Sequence, residues 1–226
     1  MPRTRDPIEH DATKAQIKAV ARAQMAALGT AGLSLRAIAR EMDVTAPALY
    51  RYYPCLDDLI TALIVDAFNH LADWLEAADE AIPARDDYRA RLIAVCLAYR
   101  DWAFSHPTDF QLIYGNPIPG YDAPDDVTVP AAVRTNVALT QVLVEAHRAG
   151  KYRLPDVPLP ETVRETADRI GAAYQLSGDL VDAGIALWEL VHGSVFLEMF
   201  GHTPPTVGDV QAHLVRLIGL HFPIDP

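Results

Sequence analysis

The sequence predicts an all-α protein, and three observations support that prediction. Apolar residues recur every three to four positions in segment after segment, whereas runs that alternate strictly between apolar and polar residues are missing. Residues that favour helix ends, namely serine, threonine, glycine and proline, stand at the borders of these segments. Half of the 226 residues are apolar and 22% are charged, a composition that excludes a disordered chain.

Three helices are predicted before Pro54. The first follows an apolar stripe and ends at a glycine: Ile17, Ala21, Met25, Leu28 and Gly29. Ser34 is placed to cap a second helix over residues 35–42. Thr45 is placed to cap a third helix over residues 46–53, which the proline that follows brings to an end.

Seven further helices are predicted, separated by segments rich in proline and glycine. The first of them begins near Leu56, where Asp57 and Asp58 suit the positive end of the helix dipole. The others are predicted over residues 86–105, 108–114, 131–149, 161–176, 179–200 and 206–220. Four prolines predict a loop over residues 115–130: Pro117, Pro119, Pro124 and Pro130.

The charge is unevenly distributed along the chain. Residues 1–56 hold eight lysines and arginines against five acidic residues, a net charge of +3. Because the whole chain carries −11, the remaining residues carry −14. A basic head on an acidic body suits a protein that presents one end to a polyanion such as nucleic acid. The alternative is chance, since the excess of three positive charges is small.

The second and third predicted helices are joined by only three residues, Asp43-Val44-Thr45. A turn this short forces the helices to cross steeply, which is helix-turn-helix geometry. Leu49 and Tyr53 lie four apart and suit the core, which leaves small residues and tyrosines outside: Ala46, Ala48, Tyr50 and Tyr52. Small side chains let a helix approach base edges, and tyrosine hydroxyls bind phosphate oxygens. The alternative role for the tyrosines is packing against the next helix.

This region resembles the N-terminal domain of the TetR family of transcriptional repressors. The matching residues are Leu35-Arg36-Ala37-Ile38-Ala39-Arg40, Val44-Thr45-Ala46-Pro47-Ala48-Leu49-Tyr50-Arg51-Tyr52-Tyr53-Pro54 and Leu59. The resemblance implies an N-terminal arm and helix-turn-helix DNA-binding domain over residues 1–55. It also implies a helical domain over residues 56–226 that binds a small-molecule effector and forms a homodimer.

The resemblance also implies individual roles in binding double-stranded DNA. It places Tyr50, Tyr52 and Ser34 on backbone phosphates. It places Thr45, Ala46, Pro47 and Ala48 at base-reading positions, with Arg40 able to reach a base. Two residues depart from the family pattern: Asp43 replaces the common turn glycine, and Leu56 replaces a phosphate-binding lysine. We expect other cations to compensate for that lysine: Arg3, Arg5, Lys14 or Lys18.

The second half of the chain resembles the WHG type of TetR C-terminal domain at Trp188-Glu189-Leu190-Val191-His192-Gly193. Gly193 would allow another helix to approach closely. We expect an apolar ligand pocket lined by Tyr99, Trp102, Tyr174 and His192. The alternative is that these aromatic residues and this histidine belong to the core. The acidic body favours a neutral or cationic aromatic ligand over a large polyanion, and neither a cofactor nor a metal is expected.

The resemblance further implies a homodimer through the last two long helices, residues 179–200 and 206–220. Apolar residues on these helices suit a four-helix interface: Leu187, Val191, Val195, Leu214, Leu217 and Ile218. A two-fold dimer would place its two DNA-binding heads about 34–36 Å apart, on a near-palindromic operator.

Two other classes of protein remain open. An enzyme is disfavoured because HExxH, GxSxG and P-loop motifs are missing, and because His192 and Ser194 point about 200° apart on a helix. A protein-interaction module whose helix-turn-helix no longer binds DNA is suggested by Leu56 and the low positive charge. We expect a cytoplasmic protein, because no secretory signal is evident, the two cysteines form no CxxC motif, and residues 180–200 contain acids unsuited to a membrane span.

Overall fold

A computed structural model of the chain describes residues 7–225 and confirms the all-α prediction. Within that range no β-strand forms, and a single isolated bridge joins Tyr152 to Ile224. The helices are α1 (Pro7–Leu28), α2 (Leu35–Glu41), α3 (Ala46–Leu49), α4 (Leu56–Glu80), α5 (Tyr88–Ser105), α6 (Pro107–Tyr114), α7 (Asp125–Arg148), α8 (Glu161–Tyr174), α9 (Gly178–Met199), α10 (Pro204–Val207) and α11 (Val210–His221).

The loop predicted over residues 115–130 is wrong in its last part, because α7 already begins at Asp125. The carbonyl oxygen of Pro124 accepts hydrogen bonds from the backbone N–H groups of Val127 and Thr128, at 3.1 and 3.0 Å. Pro130 therefore lies inside the helix. It lies beyond the first turn, so the helix loses the hydrogen bond that its N–H would make to the carbonyl oxygen of Asp126, but α7 continues through it because the packing of the helix offsets that loss.

Two other predicted helices differ from the structure: one is shorter than expected, and the other is divided in two. The helix predicted over 46–53 is α3, which covers only Ala46–Leu49. Residues 50–52 continue as turns, because the carbonyl oxygen of Leu49 accepts the N–H of Tyr52, three residues on, at 2.9 Å as well as that of Tyr53 at 3.2 Å. The helix predicted over 206–220 is divided into α10 and α11. Gly208 between them has a φ of +71°, and the carboxylate of Asp209 caps α11 by accepting the N–H of Ala212 at 2.9 Å.

The chain divides into two compact units. Within the described residues, the first unit comprises 7–69 and 106–132, and the second comprises 70–105 and 133–225. Helices α4 and α7 each contribute residues to both units. The DNA-binding domain predicted over residues 1–55 is defined by function and stays a prediction.

The first unit is built around an apolar cluster from α1, α2, α3, the start of α4, and α6. Its buried members include Ile17, Ile38, Leu49, Leu63 and Leu112. Ion pairs at its edge join α1 to α6 and to α4. Arg22 donates from Nε to both carboxylate oxygens of Asp109, at 2.8 and 3.1 Å, and Lys18 pairs with Asp66.

The second unit contains a buried charge network at the end of α4. Arg91 is 1% exposed and donates from Nε and Nη2 to the carboxylate of Asp79, at 2.7 and 2.9 Å. Its Nη2 also lies 2.7 Å from Glu145 on α7, and Arg85 donates to Asp79 at 2.7 Å. Burial alone would raise the pKa of Asp79, but the hydrogen bonds from Arg91 and Arg85 hold it below its ordinary value.

Helices α7 and α9 are long and apolar enough, by composition alone, to cross a membrane. That observation is weak, because core helices of soluble proteins share these properties. Helix α9 also carries Glu198, which is paired with Arg100 on α5. We conclude that these two helices are parts of the helical fold and not membrane spans.

We predict that Asp79→Asn lowers the free energy of unfolding by about 3 kcal/mol, because it leaves the buried Arg91 short of one countercharge. The matched control is Asp73→Asn, which breaks the exposed pair with Arg134 at 2.6 Å and should cost less than about 1 kcal/mol. Urea unfolding followed by circular dichroism, at one protein concentration, compares the two variants. Equal losses of unfolding free energy in the two variants would show that the buried Asp79 network stabilises the protein no more than an exposed ion pair does.

Candidate nucleic-acid interface and ligand site

The turn between α2 and α3 has the geometry predicted for a helix-turn-helix. Asp43 adopts the left-handed conformation with a φ of 54°, so it takes the place of the more usual glycine. The N–H of Val44 returns to the carbonyl oxygen of Ala39 at 3.0 Å. The chain therefore reverses direction tightly after α2 and enters α3 at once.

One side of α3 and of the turn after it is buried in the first unit. Leu49 is 1% exposed and Tyr53 is 6% exposed, as expected from their spacing of four residues. Burial raises the pKa of Tyr53 above its ordinary value. Ala46 is half-buried against the same cluster, so it presents less of its surface outside than expected.

The other side of α3 carries most of the predicted DNA-binding residues. Tyr50 is 40% exposed, Thr45 and Pro47 are exposed, and Ala48 is half-buried. Ser34 and Thr45 occupy the N-cap positions of α2 and α3, as predicted, but the expected side-chain capping hydrogen bonds are missing. Neither the Ser34 hydroxyl nor the Thr45 hydroxyl therefore accepts a backbone N–H at the start of its helix.

Three arginines on α2 and directly after α3 are also exposed. Arg36 and Arg40 lie four residues apart on α2, and Arg51 lies in the turn after α3. All three are exposed, and none forms an ion pair with another residue that the structure describes. Of these three arginines, only Arg40 is predicted from the sequence as a DNA contact. Arg36 lies four residues before Arg40 on the same short helix, and this spacing could have identified it as a second contact.

Tyr52 is half-buried and stacks against His10 of α1, with ring centroids 4.9 Å apart. Sequence reasoning missed His10, because no local pattern joins residues 42 positions apart. Of the cations expected to compensate for Leu56, Lys18 is held by Asp66 and Lys14 is half-buried. Arg3 and Arg5 lie outside the described residues.

The structure brings two of the four predicted ligand-site residues into direct contact in the second unit. The hydroxyl of Tyr99 on α5 is hydrogen-bonded to Nδ1 of His192 on α9 at 2.8 Å. Trp188 stacks on His192, with ring centroids 5.4 Å apart. Burial lowers the pKa of His192, so the imidazole is neutral at neutral pH.

Trp102 lies one turn beyond Tyr99 on α5 and is fully buried. Its indole N–H donates to Nδ1 of His70 on α4 at 3.2 Å. Tyr174 lies away from the Tyr99–His192 pair: it is 47% exposed at the end of α8, and only three residues separate it from Gly178, the first residue of α9. His192 lies fourteen residues beyond Gly178, about 21 Å further along the helix axis.

The apolar residues chosen for the dimer interface are mostly inside the protomer. Five of the six are buried: Leu187, Val191, Val195, Leu214 and Ile218. The assignment of these five residues to the interface is wrong, because a helical repeat shows that a face is apolar but not what covers it; Leu217 is half-buried and stays a prediction. The outer face of α9 instead carries other apolar residues: Ile185, Phe196, Leu197 and Phe200.

No group of three histidine, cysteine or acidic side chains suited to a metal ion is found among residues 7–225. The site is therefore described by its arginines, tyrosines and hydroxyls in the first unit, and by the Tyr99–His192 pair in the second.

This arrangement defines a class of helix-turn-helix DNA-binding regulators with a helical second domain. Residues 17–63 match the model of the bacterial regulatory proteins of the tetR family, and residues 92–220 match the tetracyclin repressor-like C-terminal domain. The HTH-type transcriptional regulator Rv1816 of Mycobacterium tuberculosis is 36% identical over 211 residues, covering 89% of this chain and 90% of that one. The chain belongs to the TetR family of transcriptional regulators.

Solved structures share the fold. The regulatory protein SCO4313 superimposes with a TM-score of 0.73 at 30% identity, covering 95% of this chain and 96% of that one. The multidrug binding protein EbrR, solved with imidazole, superimposes with a TM-score of 0.50 at 21% identity, covering 94% of this chain and 96% of that one.

We predict that the free energy of unfolding falls as the pH drops below about 6.5, the ordinary pKa of histidine. The folded pKa of His192 lies below the unfolded one, so the unfolded chain binds more protons in this range. The slope from one such group is at most about 1.4 kcal/mol per pH unit. Urea unfolding from pH 7.5 to 5 should show a shallower dependence for His192→Gln. The exposed His202→Gln should keep the wild-type slope, and identical slopes for all three proteins would contradict the prediction.

Proposed function

We propose that this TetR-family protein is a cytoplasmic homodimeric repressor that leaves its operator when a small molecule binds. The observation that carries the proposal is the exposed side of the head. Arg36 and Arg40 on α2, and Tyr50 and Arg51 directly after α3, are all exposed, and none of the three arginines forms an ion pair among the described residues. The proposal includes no catalytic step, because the chemistry of this surface is that of binding.

The proposed contacts are of two kinds: contacts to phosphates position the protein on the DNA, and contacts to base edges read the sequence. The hydroxyls of Ser34, Tyr50 and Tyr52 bind phosphate oxygens, and the three arginines add charge-assisted contacts. Thr45, Ala46, Pro47 and Ala48 read base edges, because their small side chains let the single turn of α3 enter the major groove. On its operator Arg40 reaches a base from α2, whereas on other sequences its guanidinium group stays on a phosphate. The half-buried Ala46 contributes least to this reading.

We predict that Arg36→Gln, Arg40→Gln and Arg51→Gln each flatten the salt dependence of binding to duplex DNA. One phosphate contact contributes a slope of about 0.9 in log K against log salt, so losing one contact in each head of a dimer removes about 1.8. Tyr50→Phe should weaken binding about thirtyfold without changing the slope, because a neutral hydrogen bond is worth about 1 kcal/mol in each of the two heads. Fluorescence anisotropy with a labelled random-sequence duplex measures both quantities.

The matched control is Arg169→Gln, which removes an exposed arginine from α8 in the second unit and should change neither quantity. If wild type did not bind the duplex at low salt, the alternative reading would stand: a protein-interaction module whose head no longer binds DNA. If the three head variants and Arg169→Gln all had the same salt dependence of DNA binding, the arginines of the head would not be the ones that contact DNA.

The proposed dimer surface follows the outer faces of α9 and α11. Exposed residues recur at helical spacing along α9 and at its C-cap: Ile185, Ala186, Glu189, Phe196 and Phe200. Gly193 lies among them and is half-buried, yet no described atom beyond its chain neighbours and its own helix backbone lies within 4 Å of a Cβ placed on it. Glu189 on α9 and Arg216 on α11 are exposed and carry opposite charges. In a two-fold dimer each of them can pair with its opposite on the partner, while Gly193 allows close approach.

We predict that Gly193→Leu raises the dissociation constant of the dimer at least thirtyfold. Overpacking costs about 1–3 kcal/mol at each of two symmetric copies, whereas the protomer has room for the new side chain. Sedimentation equilibrium measures the dissociation constant, and circular dichroism confirms that the variant is folded. Gly193→Ala is the small control and should dimerise nearly as wild type does. A folded Gly193→Leu protein with an unchanged dissociation constant would exclude this surface.

The proposed effector site centres on Tyr99 and His192, with Trp188 as an aromatic wall. A neutral imidazole and a phenol in apolar surroundings suit a neutral or cationic aromatic ligand. Release of DNA requires that the ligand bind one arrangement of the two heads more tightly than the other. We propose that α4 transmits the difference, because it begins in the head and carries His70, the partner of Trp102.

A further inference from the structure

A second cavity lies in the second unit, between α5, α11 and the segment that follows α11. Its volume is about 260 Å³, near the lower limit for sites that hold small organic molecules. The side chains that line it are apolar apart from one guanidinium group, although polar atoms, including those of the backbone, make up about half of the lining surface. The lining residues are Arg89, Leu92, Ile93, Ile218, Gly219, Phe222, Pro223 and Ile224. Arg89 lies ten residues before Tyr99 on α5, about 15 Å along the axis, so this cavity is distinct from the proposed effector site.

The wall formed by the segment after α11 is held in place. Ile224 pairs with Tyr152 in an antiparallel bridge, and the N–H of Asp225 donates to the carbonyl oxygen of Lys151 at 2.8 Å. The ring of Phe222 is buried, with its centroid 6.3 Å from that of Tyr152. The cavity is therefore formed before a ligand arrives, which lowers the ordering cost of binding.

The single charge at the cavity indicates the ligand. Arg89 is exposed and forms no ion pair within the described part of the chain. By contrast, Arg85 and Arg91 on either side of it in sequence are both held by Asp79. A guanidinium group binds a carboxylate through two parallel hydrogen bonds. The strongly acidic body disfavours a polyanion, so one negative charge is the most that the site accommodates well.

We propose that this cavity binds a small carboxylic acid with a short hydrocarbon body. The carboxylate pairs with Arg89 at the rim, and the hydrocarbon fills the space between Leu92, Ile218 and Phe222. Removing apolar surface from water drives the binding, and the ion pair fixes the orientation of the acid. The site does not depend on the proposed DNA-binding function, since it lies wholly in the second unit.

Octanoate is the probe, and isothermal titration calorimetry with the full-length protein at pH 7 measures its affinity. Arg89→Gln should weaken octanoate binding at least tenfold, and 1-octanol, which lacks the charge, should bind wild type more weakly than octanoate does. Arg169→Gln, an exposed arginine on α8, should bind octanoate as wild type does. Equal affinity of wild type and Arg89→Gln, or no saturable binding to wild type, would overturn the proposal.

A second variant places a bulky side chain at the cavity wall formed by α11. Gly219 lines the cavity and is exposed, and among the described residues nothing beyond its neighbours lies within 4 Å of a Cβ placed on it, so Gly219→Leu is accommodated without a clash at Cβ. This variant should abolish octanoate binding. Methyl NMR locates the site independently: octanoate should shift the signals of Ile93, Ile218 and Ile224 in wild type. Octanoate shifts confined to other methyl groups would place the acid elsewhere and overturn the proposal, whatever the DNA-binding assays show.

Discussion

The burial of Leu49 and Tyr53 is the constraint on which the DNA-binding head depends. Helix α3 has only four residues, so it cannot hold its own orientation, and these two anchors in the apolar cluster of the first unit set it. With them inside, Tyr50 and Pro47 are left outside. The same cluster holds α2 through Ile38, which turns Arg36 and Arg40 outward. The chemistry of the surface is thus a consequence of how the core beneath it packs.

The second unit buries and pairs some of its charged and polar side chains, whereas the proposed DNA-binding surface of the head leaves its arginines exposed. Arg36, Arg40 and Arg51 of the head are exposed and form no ion pair among the described residues, whereas Arg91 is buried and satisfied by Asp79 and Glu145. A buried arginine with two carboxylates is a structural element, because its charge is already neutralised. His192 is a third case: burial keeps it neutral, and its hydrogen bond to Tyr99 leaves a polar pair among aromatic rings. The distribution of charge therefore separates a surface for a polyanion from a site for a small molecule.

Much of the fold and of the DNA-binding head could be predicted from the sequence, because the information is local. The turn at Asp43, the anchors Leu49 and Tyr53, and the N-cap positions of Ser34 and Thr45 follow from spacing and residue type. Contacts between distant elements could not be predicted, such as the stacking of His10 on Tyr52. The same limit explains the exposed position of Tyr174 and the buried positions of Leu187 and Val191, since a periodic pattern does not say which neighbour covers a face. Pro130 was misinterpreted because the packing of α7 offsets the hydrogen bond that a proline inside a helix loses.

Selection of duplexes from a random DNA pool tests most directly the claim that this protein is a dimeric reader of DNA sequence. Wild type and Tyr50→Ala are carried through the selection side by side at low salt. We expect wild type to enrich a near-palindrome whose half-sites lie about one helical turn apart, and Tyr50→Ala not to enrich it. No enrichment by wild type, or the same enrichment by both proteins, would contradict the claim.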